Sequence, residues 1–131
     1  MNLLLDTHIW LWWIDEDSQL SPKHRAIISG AENVFVSAIS CWEIVLLHQR
    51  QRIELSMSLD DWFRLALEKA NIGCLPITEE VAIKSAGLDF HHRDPADRFI
   101  IATALVNDCQ LMSFDEKFPL YSELETRLIG G

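Results

Sequence analysis

Short apolar runs alternate along this chain with longer stretches in which apolar residues recur every three or four positions. Leu3-Leu4-Leu5, Val34-Phe35-Val36, Cys74-Leu75-Pro76-Ile77 and Gln110-Leu111-Met112-Ser113 read as strands. Pro76 places the third at an edge or at its own end, because proline donates no ladder hydrogen bond. A helix follows the first strand through Trp10, Leu11 and Trp13, and Pro22 opens a second that ends near Gly30. A third runs from about Ser37 to Gln49. A fourth follows Ser58, with Leu59, Trp62, Phe63, Ala66, Leu67 and Ala70 at helical spacing. Thr78 is placed to cap a helix from Glu79 to Ala86 that Gly87 closes, and Pro95 to Asp108 forms another. The tail from Phe118 to Leu128 adds a short edge strand and a helical turn. Strands interleaved with helices of this length predict the α/β class: a three-layer α/β/α sandwich around a parallel sheet of about four to five strands. No repeat, low-complexity tract or Pro/Gly-rich linker divides residues 1–131, which are expected to form a single domain.

Composition narrows the class of function. At 131 residues and 15.1 kDa the chain is long enough to bury a core. No apolar run approaches the roughly 20 residues of a membrane span. The chain enters Leu3-Leu4-Leu5 without a basic leader, so a cytoplasmic protein with no membrane partner is expected. Cys41, Cys74 and Cys109 are odd in number, separated and set among apolar residues, and are expected to be reduced core residues. A net charge of −9 and a pI near 4.8 argue against a non-specific nucleic-acid binder. They argue less against an enzyme, because divalent ions held by clustered carboxylates reverse the local field. The acidity also suits a basic protein partner.

Four acids stand where an apolar run gives way: Asp6, Glu43, Asp97 and Asp115. Each has a structural explanation. Asp6 and Asp115 suit helix N-caps; Ser40 with Glu43, and Asp94 with Asp97, have capping-box spacing. Asp94, just before Pro95, is the better cap, with Asp97 one turn on along the same face. The joint pattern asks for more. Carboxyl ends of parallel strands share one sheet edge, where open α/β proteins bind ligands. Carboxylates gathered there repel one another unless a cation neutralises them, and hard oxygen donors select Mg²⁺ or Mn²⁺. Such ions activate water and neutralise charge at a phosphodiester. Thr7 and Ser113 are placed to support the ligands through their hydroxyls.

At these residues the chain resembles the PIN-domain family, most closely its VapC-type toxin ribonucleases. The matching stretches are Leu4-Leu5-Asp6-Thr7-His8, Ser40-Cys41-Trp42-Glu43-Ile44, Leu75-Pro76-Ile77 with its helix, His92 through Ala102, and Ser113-Phe114-Asp115-Glu116-Lys117-Phe118. They cover nearly the whole chain in the family's order. The resemblance implies a Mg²⁺- or Mn²⁺-dependent endoribonuclease, typically a homodimer inhibited by a cognate antitoxin, with RNA as substrate. Asp6, Glu43, Asp97 and Asp115 then stand for the acidic quartet that binds metal and carries catalysis. Asp94 belongs to the Asp-Pro-x-Asp-Arg pattern and assists. Ser113 stands where the family often has Thr, and keeps the hydroxyl.

His8 is a candidate to line the site, and His92, Arg93 and Arg98 to contact the RNA backbone, against a plain hydrophilic loop at 91–93. Arg50, Arg52 and Lys117 read as solvated charges. Trp10, Trp12, Trp13, Trp42 and Trp62 read as core or interface rather than base-stacking surface. The segment Ile9 to Ile14 is apolar on every side, more than one buried stripe requires, so part of it is expected to meet a second subunit or the antitoxin. An alternative function is a PIN-like RNA-binding or interaction module without catalysis, marked by loss of an acid; all four are present. A receiver-like phosphoacceptor is disfavoured, because it needs paired acids after the first strand and Thr7 follows Asp6.

Overall fold

A computed structural model describes residues 1–91 and 93–131. The elements run β1 (Asn2–Leu5), α1 (Thr7–Asp15), α2 (Pro22–Gly30), β2 (Asn33–Ser37), α3 (Ala38–Gln49), α4 (Leu59–Phe63) with a π-helical continuation over Arg64–Lys69, β3 (Ile72–Leu75), α5 (Glu79–Ala86), α6 (Pro95–Val106), β4 (Gln110–Met112), two 3₁₀ turns (Phe118–Leu120 and Ser122–Leu124), and β5 (Leu128–Ile129). Each of these six α-helices starts on Asp, Ser or Thr, namely Asp6, Ser21, Ser37, Ser58, Thr78 and Asp94. Each of those side chains accepts a backbone N–H of its own first turn. Local chemistry therefore sets where each of these α-helices begins. The cap of α3 is Ser37 and not Ser40, which is fully buried inside the helix, so Ser40 and Glu43 do not form a capping box.

The strands pair in parallel in the order β3-β2-β1-β4-β5. β1 is central, and its side chains alternate between two cores. Leu3 and Leu5 pack with Ile9, Trp10, Ile28 and Trp62 from α1, α2 and α4, while Leu4 packs with Ile100, Ile101, Phe118 and Tyr121 on the other face. All three leucines are fully buried, each worth about 1.5–3 kcal/mol of transfer free energy. That gives the three-layer α/β/α sandwich. Among the described residues no helix is long and apolar enough to cross a membrane.

Four details differ from the sequence expectation. β3 begins at Ile72 and stops at Leu75, because Pro76 cannot extend the ladder. The fourth helix does not stay α-helical. Ala70 N–H reaches back to the Leu65 carbonyl, and this wider turn leaves the Ala66 carbonyl to accept the indole N–H of buried Trp10 at 3.2 Å. Of the cysteines only Cys109 lies in the core; Cys41 is half-buried and Cys74, on edge strand β3, is exposed. Trp10 and Trp62 are buried edge-to-face at 5.0 Å, and Trp12 and Trp13 are half-buried against the same core. Trp42, expected in core or interface, is 53% exposed because it leaves the outer face of α3.

Gly73 pairs with Phe35 across β2 and β3, and a Cβ there would lie 2.8 Å from the ring carbon Cδ1. Gly73→Ala is expected to destabilise the fold by on the order of 1 kcal/mol, overpacking outweighing the lower backbone entropy cost. Thermal unfolding checks this through a Tm lower than that of the parent chain.

Candidate active site

Chain order departs from β1 in one direction through β2 and β3, and in the other through β4 and β5, so the crevice beyond β1 and β4 is the switch point of the sheet. The pairing Leu5↔Met112 continues as Asp6 N–H donating to the Met112 carbonyl at 3.0 Å, which sets Asp6 beside Ser113. Asp6 both ends β1 and caps α1: Oδ1 accepts Thr7 N–H at 2.8 Å. Its other oxygen accepts the buried Ser113 hydroxyl at 2.6 Å. The same Ser113 oxygen accepts Asp115 N–H at 3.2 Å, and Asp115 Oδ1 accepts Lys117 N–H at 2.8 Å. One hydroxyl thus ties the acids after β1 and β4 together.

α3 brings the next acid. Thr7 Oγ1 donates to Glu43 Oε1 at 2.6 Å and lies 2.8 Å from Ser40 Oγ. Thr7 and Ser40 are both buried. Thr7 has one proton, which the carboxylate takes when ionised, leaving Ser40 to donate in return. α6 contributes Asp97 from its first turn and Asp94 from its cap, where Asp94 Oδ1 accepts Ala96 N–H at 3.0 Å.

All five carboxylates line one cavity of about 440 Å³, whose apolar wall includes His8, Trp12 and Phe114. The Trp12 ring lies 6.0 Å from His8 and 5.9 Å from Phe114. Glu43, Asp94 and Asp97 come closest, each offering an oxygen within 4.8 Å of the other two. Asp6 and Asp115 border that trio. The geometry therefore promotes Asp94, a supporting residue in the sequence reading, to the centre of the cluster.

Charge crowding shows in proton affinity. Burial raises Asp97 most, and the charges of Asp6, Asp94, Glu43 and Asp115 add to it, taking its pKa to about 8. Burial also raises Asp6, opposed by the bonds from Ser113 and Thr7 N–H. Glu43 is raised by burial too, opposed by the Thr7 hydroxyl and reinforced by Asp6 and Asp94. The donor set is all carboxylate. Oxygens bound at about 2.0–2.2 Å to one Mg²⁺- or Mn²⁺-sized ion lie at most about 4.4 Å apart, so the trio, whose oxygens lie within 4.8 Å of one another, would close slightly on such an ion, and the ion would discharge its repulsion.

The remaining predicted residues divide between the cavity rim and the α5–α6 junction. His8 is exposed at the cavity rim. Arg98 sends its guanidinium into the carbonyls of Ser85, Leu88 and Asp89 at 2.9–3.0 Å and stacks on Phe90 at 5.4 Å, so it braces the α5–α6 junction. Arg93 is exposed, and His91 packs edge-on against Tyr121 at 4.8 Å. His92 lies outside the described residues. Two residues were missed. Ser40 sits one turn before Glu43, a spacing that would have placed it on the acid's face. His24 is buried, with Nδ1 2.6 Å from Ser21 Oγ, Nε2 2.7 Å from the Gly130 carbonyl, and its ring edge-on to Phe114 at 4.8 Å. Its partner Gly130 is more than 100 residues away, so no local signal announces it.

A family model described as the PIN domain matches residues 3–124. The chain belongs to the PIN-domain family. It is 33% identical over 117 residues to Ribonuclease VapC22 of Mycobacterium tuberculosis (strain ATCC 25618 / H37Rv), a match covering 88% of each chain, which places it with the VapC-type members. Solved structures share the fold at low identity. VapBC2 from Rickettsia felis bound to a promoter DNA fragment aligns with a TM-score of 0.72 and 14% identity over 99% of this chain and 98% of the other. A toxin–antitoxin complex from Klebsiella pneumoniae aligns at 0.63 and 16%, over 97% and 95%. This PIN-domain chain has its acids at the crevice that the strand order creates.

The raised carboxyls set the pH dependence of the metal-free fold. The folded chain keeps the Asp97 proton up to pH of about 8, whereas the unfolded chain releases it near 4, so between those values folding binds a proton and stability falls as pH rises. Allowing for the partial exposure of Asp97, the loss is on the order of 1–3 kcal/mol. Thermal scans without metal are expected to give a lower Tm at pH 8.5 than at pH 5, by several degrees. Asp97→Asn should flatten that slope, and Mg²⁺ or Mn²⁺ should raise Tm more at the higher pH. A parent profile that rises with pH would show that the cluster is not strained by charge.

Proposed function

We propose that this chain is a divalent-metal-dependent endoribonuclease, the toxin of a toxin–antitoxin pair, with residues 1–131 forming one PIN-like catalytic domain. The observation that carries the reading is the meeting of five carboxylates from four elements in one cavity, two of them oriented by buried hydroxyls. The relative's printed name, a ribonuclease, supports the reaction class, and the solved neighbours described as toxin–antitoxin complexes support a cognate antitoxin. Assembly as a homodimer and a cytoplasmic location complete the reading.

Asp6, Glu43, Asp94, Asp97 and Asp115 hold the metal, Mg²⁺ or Mn²⁺. When bound, the ion supplies Lewis-acid stabilisation of the phosphodiester and lowers the pKa of a water. Ser113 is a positioning residue that fixes the Asp6 oxygen, and Thr7 fixes that of Glu43. The rings of Trp12 and Phe114, with His8 at the rim, give a nucleobase an aromatic surface beside the carboxylates. A groove of about 660 Å³ adjoins the cavity, shares Asp94, Asp97 and Asp115 with it, and is flanked by Phe90, Arg93 and Lys117. Arg93 and Lys117, set against the further acid Glu116, put two cations beside the carboxylates where a phosphate backbone would lie.

Cleavage of mixed cellular RNA with Mn²⁺ present tests the reading. Asp6→Asn and Asp97→Asn are expected to lose at least about 100-fold in rate with the fold intact by circular dichroism, and a chelator should abolish the parent activity. Ser113→Ala should cost about 10–100-fold, with Ser113→Thr recovering most of it, since only the hydroxyl is needed. Retained RNA binding with no cleavage by the parent chain under any divalent ion would leave the non-catalytic PIN-like module as the function.

A further inference from the structure

Cys41 and Cys74 were expected to be isolated core thiols, yet their sulfurs lie 3.9 Å apart. Cys41 sits in the first turn of α3 and is half-buried; Cys74 lies on edge strand β3 and is exposed. Ordinary packing explains Cys109, which is fully buried in the core that holds Leu4, but it does not explain a thiol left facing solvent beside a second one. A disulfide needs sulfurs about 2.05 Å apart, so closure asks the two sulfurs to approach by about 2 Å. As an edge strand, β3 is held by the sheet on one side only and can yield.

We propose that Cys41 and Cys74 form a hydroperoxide-responsive dithiol that closes into an intramolecular disulfide and staples the start of α3 to edge strand β3. Cys74 is the attacking thiol. It is the more exposed of the two, and its sulfur lies 3.9 Å from that of Cys41, whose S–H is placed to donate to a Cys74 thiolate and favour it. Its sulfur attacks one peroxide oxygen; the O–O bond breaks, a sulfenic acid forms and one water leaves after protonation. The Cys41 sulfur then attacks the Cys74 sulfur, the S–O bond breaks, and the Cys41 proton departs with the hydroxyl as a second water. Two thiols are oxidised to one disulfide, and one hydrogen peroxide is reduced to two waters. The bridge joins residues 33 apart, so the closed form restricts the unfolded chain and its Tm rises. The link also falls two residues before Glu43, at the helix start that aims this acid into the cavity.

The fully reduced chain is treated with stoichiometric hydrogen peroxide, quenched by alkylation under denaturing conditions, and mapped by mass spectrometry. The expected product has lost two hydrogens, carries a Cys41–Cys74 linked peptide and an alkylated Cys109, and returns to the starting mass with dithiothreitol. Its Tm is expected several degrees above that of the reduced form. Cys41→Ser should accumulate a dimedone-reactive sulfenic acid at Cys74, because the resolving thiol is gone; Cys74→Ser should form no bridge; Cys109→Ser should close like the parent. Sulfenic or sulfinic acid at Cys74 of the parent chain with Cys41 still free, or only intermolecular bridges, would overturn the proposal. The readout is a mass, so it stands apart from whether the chain cleaves RNA.

Discussion

Mutual repulsion among carboxylates that the fold does not allow to separate is the constraint around which the rest of the molecule is arranged. Asp6 and Asp115 are fixed by the pairing of β1 with β4, Glu43 by α3, and Asp94 and Asp97 by the first turn of α6. Each is rooted in an element whose backbone is fixed by the sheet or by a helix. The system answers by holding protons, most visibly on Asp97, and stands ready to exchange them for a divalent ion. Carboxylates crowded closely enough to serve a divalent ion therefore weaken the empty fold.

The hydroxyls make this tolerable. Ser113 bonds the Asp6 carboxylate and the Asp115 backbone with one oxygen, and Thr7 joins Glu43 to buried Ser40. These bonds favour the charged carboxylates and hold their oxygens toward the cavity, lowering the reorganisation needed when an ion arrives. The layers behind them are apolar and full: Leu3, Leu4 and Leu5 are sealed on both faces of the sheet. The free energy of that packing carries the electrostatic cost at the edge.

Much of this was legible in the chain. The β1 run, the Pro22 and Pro95 helix starts, the Thr78 and Asp94 caps and the Gly87 stop are local signals, and each element stands where its residues place it. The acids were legible for the same reason: a carboxylate that ends a strand or opens a helix in an alternating α/β pattern has only one sheet edge to go to. Where the reading slipped, the cause was non-local. The π-helical turn accompanies a bond between Trp10 and Ala66, residues 56 apart. Arg98 looked like a phosphate contact until α5 and the segment after it placed three carbonyls around it. Ser40 looked like a cap until Ser37 occupied that role and Thr7 drew Ser40 inward.

By itself, then, the amino-acid order determined which segments become strand and helix, which faces are buried, and which acids stand at element ends, because caps, proline, glycine and apolar period act over a few residues. Tertiary structure alone decided distances: that Asp94 joins Glu43 and Asp97 within one ion's reach, that His24 clasps Gly130, and that Cys41 meets Cys74. Those contacts span tens of residues, and their geometry depends on strand order and register, which many local patterns share and only the packed sheet selects.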